Sequence, residues 1–282
     1  MPYGQRNAIL ISGLLFAGAL LLAYIASAVL LFSITGGELQ QLSKLRPEVT
    51  SDPWWLEDLE SPSSDALYLW KTAGLFVLLA AAFVAALVLR RLYQRTASAE
   101  IFFFLFFLFS LSFESIWSWN AILIHLGSPV LLNVVLSKVT YFGRFFGLLA
   151  LLTSSLYAIE ISQQKFSLLL LTAFLVSLAF IYVLPVDASY LTANFLYGLG
   201  DRTSMWLIMG VLEAAVAVNF FIAAHRRERS EFVYAGAAAV VIAVGKELTN
   251  LGGPAQILAG VVLLGVGVWL FSSRVYRVYL WT

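Results

Sequence analysis

Residues 101–124 read IFFFLFFLFSLSFESIWSWNAILI. The stretch contains no proline and no glycine, and its one charged side chain is Glu114. An α-helix rises about 1.5 Å per residue, so roughly 20 apolar residues cross the hydrocarbon core of a bilayer. Residues 101–124 are long enough to do so. A charge at the middle of such a helix costs at least about 2.5 kcal/mol. A membrane-spanning helix with a costly acid inside it is therefore the first expectation.

The rest of the chain repeats the pattern. Eight stretches have the length and character of spans: 8–32, 66–89, 101–124, 139–161, 166–184, 205–224, 232–249 and 255–271. Over all 282 residues, 61% are apolar and 12% are charged. A soluble domain carries about 25% charged residues, and this much apolar surface could not be hidden from water. Disorder is excluded by the same composition. With no cysteine and a net charge of +1, neither a disulfide scaffold nor a nucleic-acid partner is supported. The expected fold is an all-α polytopic transmembrane bundle, with 1–282 as a single integral membrane domain.

Arg6 precedes the first stretch, and Ala26-Ser27-Ala28 imitates a signal-peptide cleavage site. The apolar run of about 25 residues is too long for the 7–15-residue core of a signal peptide. The first span is expected to be retained; cleavage would leave seven.

Basic residues give the orientation. If odd-numbered spans leave the cytoplasm, its side carries Arg6, Arg90, Arg91, Arg95, Lys165, Arg226, Arg227, Arg229, Arg274 and Arg277. The opposite side carries Lys44, Arg46, Lys71, Lys138 and Arg202, and Arg144 and Lys246 fall within spans. This is the positive-inside bias, with both termini cytoplasmic. It places the protein in the cell membrane as a multi-pass chain, the inner membrane if its source is bacterial. Residues 34–65 form an acidic extracytoplasmic loop. Within it, Ser51-Asp52-Pro53 ahead of Trp54-Trp55 reads as the start of a short interfacial helix. Residues 128–138 are too short to span and read as an interfacial or re-entrant turn.

Five ionisable residues lie within spans: Glu114, Arg144, Glu213, Lys246 and Glu247. Helical rise puts them in one slab near mid-membrane. Their charges sum to −3 and +2, so one acid needs a proton, a ligand or an ion. Helical spacing aligns Ser110, Glu114, Ser118 and His125 in one stripe, with Trp117 alongside. Thr140, Arg144 and Gly147 share a face adjoined by Tyr141. Trp206, Gly210 and Glu213 align, as do Ala239, Ile242 and Lys246, with Asn250 one turn further. Trp117, Ser118, Tyr141, Trp206 and Asn250 are thus the expected pocket lining around the five charged residues. Small residues such as Gly210, Ala217, Ala235 and Ala239 predict close packing of the sixth and seventh spans.

Mid-membrane charges face a bundle interior and mark ion or substrate paths, or they pair to fix helix register. The leading expectation is a small-solute or ion transport-type protein, its charged site reached from the outer face. Glu114 or Glu213 would carry a proton, and Arg144 or Lys246 would hold an anionic group or offset an acid. Two other readings use the same residues: a ligand-sensing receptor module signalling through a separate partner, and a non-catalytic subunit of a membrane complex. The purely structural alternative pairs Glu114 with Arg144 and Glu213 with Lys246. His125 and His225 are a membrane apart, and no nucleophile elbow or phosphate loop occurs, so no metal, cofactor or enzymatic chemistry is expected.

Overall fold

In lipid, a backbone without water must satisfy its own polar groups, so apolar runs become helices. The computed structural model describes residues 2–34, 66–160, 165–191, 196–200, 202–251 and 254–280. They form α1 (Tyr3–Ile34), α2 (Ala66–Thr96), α3 (Ala99–Ser110), a 3-10 segment (Leu111–Ser115), α4 (Ile116–His125), α5 (Val130–Ala158) and α6 (Phe166–Val183). A hairpin of β1 (Val186–Leu191) and β2 (Tyr197–Leu199) follows, then α7 (Arg202–Arg227), α8 (Glu231–Leu251) and α9 (Pro254–Leu280). With α3 to α4 taken as one, eight helices among the described residues are long and apolar enough to cross a membrane. The protein is a multi-pass helical bundle, as composition predicts. The strands are a small departure from all-α: β1 pairs antiparallel with β2, Val186 opposite Leu199. The acidic loop and its expected interfacial helix lie outside the described residues.

One end of the bundle gathers arginines. There Tyr3 Oη donates to Gln94 O at 3.4 Å, Tyr279 Oη to Glu100 Oε2 at 2.6 Å, and Arg227 Nη2 to Tyr157 O at 3.1 Å. Arg274 meets Glu231 at 3.1 Å at the same end. These bonds bring the first residues of α1 and the last of α9 to one face, hereafter the basic end. At the other, hairpin end, Tyr24 Oη donates to Thr72 O at 2.8 Å, and Tyr141 Oη donates to Tyr197 O at 3.1 Å.

The third span is the axis. Its central window is 83% buried, against 28% for the first. A helix enclosed on every side is apolar on every side, which accounts for its phenylalanines. Phe102, Phe103 and Phe104 are fully buried. Phe104 stacks on Phe271 of α9 with ring centroids 4.1 Å apart, and Phe102 meets Phe166 of α6 at 4.6 Å.

The fourth span begins earlier than expected. Residues 130–138 are not a turn but the opening of α5, directly after Pro129. Asn133, Ser137 and Thr140 lowered the local hydropathy, yet their i, i+4, i+7 spacing turns them all to the protein interior. Ser137 Oγ accepts from Asn120 Nδ2 at 3.3 Å and from Tyr197 N at 2.9 Å. Leu131, Leu132 and Val135 take the outward face.

Close packing by small residues is most pronounced one helix pair later than predicted. A Cβ at Gly245 of α8 would lie 2.8 Å from Leu264 N and 2.9 Å from Gly260 O, both backbone atoms of α9. At Gly236, facing α7, the nearest approach is 3.1 Å, to a side-chain atom of Phe220. Backbone cannot swing aside, so Gly245→Ala forces α8 and α9 apart. Its expected cost is about 1–3 kcal/mol, read as a lowered unfolding temperature of the detergent-solubilised protein. Gly265→Ala is the control, because nothing lies within 4 Å of its added methyl, and it is expected to leave that temperature unchanged.

Candidate functional site

The charged residues do meet at one level. Counted from the basic end, Glu114 lies 15 residues beyond Ala99, and Arg144 lies 14 before Ala158. Glu213 lies 14 before Arg227, and Lys246 lies 15 beyond Glu231. That is a common height of about 21–25 Å, the 3-10 segment rising slightly faster than the α-helices. Arg144 holds Glu114 in a two-pronged contact, Nε to Oε1 at 2.6 Å and Nη2 to Oε2 at 2.8 Å. Both carboxylate oxygens of the buried Glu114 are thereby used. Lys246, also buried, pairs with Glu247 at 3.4 Å rather than with Glu213. The two cations are held by acids on the protein itself. Among the described residues, Glu213 makes no ion pair or hydrogen bond.

A cavity of about 130 Å³ lies between α5, α7 and α8. Tyr141, Arg144, Trp206, Glu213, Lys246 and Glu247 all line it, with Leu199, Met205, Met209 and Gly210 completing the wall. Its lining runs from mid-membrane Arg144 to Leu199 of the hairpin. The Arg144 guanidinium also lies 5.7 Å from the centroid of the Tyr141 ring.

Two predicted lining residues are elsewhere. Trp117 packs with Tyr24, Leu31 and Leu79, on the α1–α2 side. Ser118 Oγ hydrogen-bonds Ser27 Oγ of α1. The reason is the 3-10 segment at 111–115. It turns about 120° per residue instead of 100°, so eight steps from Ser110 to Ser118 sum to about 180° of net rotation rather than 80°. The expected stripe is split: a Cβ at Gly147 of α5 would overlap the Ser110 side chain, whereas Ser118 looks the opposite way. The side chain of Asn250 lies outside the described residues.

The sequence reading passed over Met205 and Met209, although their spacing of four leads directly to Glu213. Glu100, at the first turn of α3, lies one residue ahead of the expected span 101–124. Glu100 is buried. Its Oε2 accepts from Ser98 Oγ at 2.9 Å and from Tyr279 Oη at 2.6 Å. Ser98, an acceptable N-cap residue two positions ahead of an acid, was the available signal.

A second, much smaller void shares Glu213 and Lys246 with the first. It has room of about 10 Å³ and is lined by Phe107, Leu148, Leu151, Val216, Ala239, Ile242 and Ala243, together with the same Glu213 and Lys246. Each of those apolar residues lies nearer the basic end than the charged residue of the same span. The site is thus a polar chamber above a narrow apolar neck. These features define a multi-pass membrane protein with a charged chamber in its interior. No family model, curated protein or solved structure matches the chain.

Proposed function

We propose that the protein is a transporter of a small solute or ion, with the charged chamber as its central site. The observation that carries this reading is the pair of voids sharing Glu213 and Lys246, a wide one toward the hairpin end and a tight one toward the basic end. That is the form of a path open on one side and closed by apolar side chains on the other. Orientation follows from charge. The sequence places ten Lys and Arg on the side of the basic end and five on the other. The basic end is then cytoplasmic, both termini with it, and the chamber faces outward across the cell membrane. Movement of α8 against α7 would open the neck. Glu114, locked by Arg144, serves the framework, and Glu213 is the acid left for proton or substrate coupling. The reading includes no enzymatic step and no metal.

Purified protein in liposomes tests it. Uptake of a panel of small solutes, with an entrapped pH dye reporting protons, is expected to exceed that of protein-free vesicles. Glu213→Gln is expected to lower uptake about tenfold, the scale of one lost charged contact of roughly 1.5 kcal/mol. No flux for any member of the panel, with the protein folded in the vesicles, overturns the proposal.

A further inference from the structure

We infer that the chamber between α5, α7 and α8 takes a small organic cation, with Glu213 as its counter-ion. The inference rests on the transport reading for the purpose of the site, and on the chamber alone for the chemistry of its occupant.

Glu114, Glu213 and Glu247 against Arg144 and Lys246 leave one negative charge. The geometry says which acid carries it. Glu114 is taken up by Arg144 through two short contacts, and Glu247 by Lys246. Glu213 alone of the three makes no ion pair or hydrogen bond among the described residues, Lys246 acting on it only at longer range, and it lines both voids. An anionic ligand would have to take Arg144 or Lys246 from the acid it already holds. It would leave that carboxylate uncompensated in a low-dielectric interior, which is strongly unfavourable. A cation instead completes the set.

The walls suit an organic cation better than a bare metal ion. Trp206 lines the chamber. An indole face attracts an ammonium group more strongly than any other side-chain ring. Met205 and Met209 supply polarizable, adaptable surface for an apolar body. A metal ion wants several converging oxygens, whereas no group of three or more His, Asp or Glu placed to hold a metal occurs among the described residues. The size is also telling. An engineered cavity of about 150 Å³ holds one benzene, so about 130 Å³ fits a single ring or its equivalent.

Three probes of nearly one shape and different charge test the inference: benzylammonium, benzyl alcohol and benzoate. Binding to the purified full-length protein is measured by titration calorimetry at neutral pH. Benzylammonium is expected to bind saturably, at least about tenfold tighter than either of the others, the scale of one charged contact. Glu213→Gln, nearly isosteric, is expected to remove that preference. Trp206→Leu is expected to weaken benzylammonium severalfold through the ring contact, without touching any charge, and serves if the first variant does not fold. Benzoate binding as tightly as benzylammonium, no saturable amine binding, or affinity unchanged in both variants overturns the inference. Selective amine binding with no flux of any solute leaves the cation site standing and removes the transport reading. Uptake of anions with no amine binding does the reverse.

Discussion

Arg144→Met is expected to destabilise the protein by about 3–5 kcal/mol, more than any other substitution in the charged slab. Removing one partner of a buried ion pair leaves the other charge without compensation, and that penalty exceeds the net worth of the pair. Glu114 is in that position: it is buried, and both its oxygens point at Arg144. No other hydrogen bond to its carboxylate exists among the described residues to soften the loss. Glu114→Gln with Arg144→Met is expected to recover more than half of the loss, because neither charge is then buried. The measurement is a double-mutant cycle on thermal unfolding in detergent. A single-variant cost under about 1 kcal/mol would mean that the pair is screened as a surface pair is, and the burial of Glu114 against Arg144 would have to be abandoned. The cycle also separates framework from function. Glu114 and Arg144 should couple strongly to each other and weakly to Glu213.

Phe166→Ala carries the second large effect, about 3 kcal/mol. The ring is fully buried and lies 4.6 Å from Phe102, 5.0 Å from Phe103 and 5.8 Å from Tyr157, centroid to centroid. The Arg6 guanidinium lies 4.1 Å from its centroid. In a soluble core, Phe→Ala costs about 3–5 kcal/mol, part of it the transfer of apolar surface out of water. Between membrane helices that part falls away, since lipid is as apolar as the core, and packing alone remains. The cation–π contact adds back about 1–2 kcal/mol where the guanidinium is shielded from water. Phe166→Leu separates the two contributions. It retains much of the volume and loses the ring face, so roughly half the effect is expected to persist. Equal unfolding temperatures for Phe166→Leu and the native protein would show that Arg6 takes no stability from the ring.

Glu100 shows where reading the chain fell short. It stands beside loop residues, and hydropathy alone makes it the first solvated acid of its span. Burial by α9 through Tyr279, 179 residues away in sequence, is invisible locally. Residues 128–138 failed for the converse reason. Asn133 and Ser137 looked like membrane-surface residues because a hydropathy window cannot know that their partners, Ser128, Asn120 and Tyr197, surround them. Trp117 and Ser118 were misplaced by a single irregularity. Five residues of 3-10 helix turned half a span by about 100°, and nothing in Leu111–Ser115 announces that winding.

Composition and apolar run length sufficed for the membrane class, the eight helices and the depth of the buried charges, because each depends only on residue type and on a constant rise along one helix. Which charges pair, and which acid is left over, is a question of azimuth between helices. Arg144 could have met Glu114 or Glu213 at the same height. The 3-10 winding of the third span, the glycine contact of α8 with α9 and the seating of the hairpin on Ser137 set those angles. Each of them is a contact between segments far apart in the chain, so only the packed bundle could decide them.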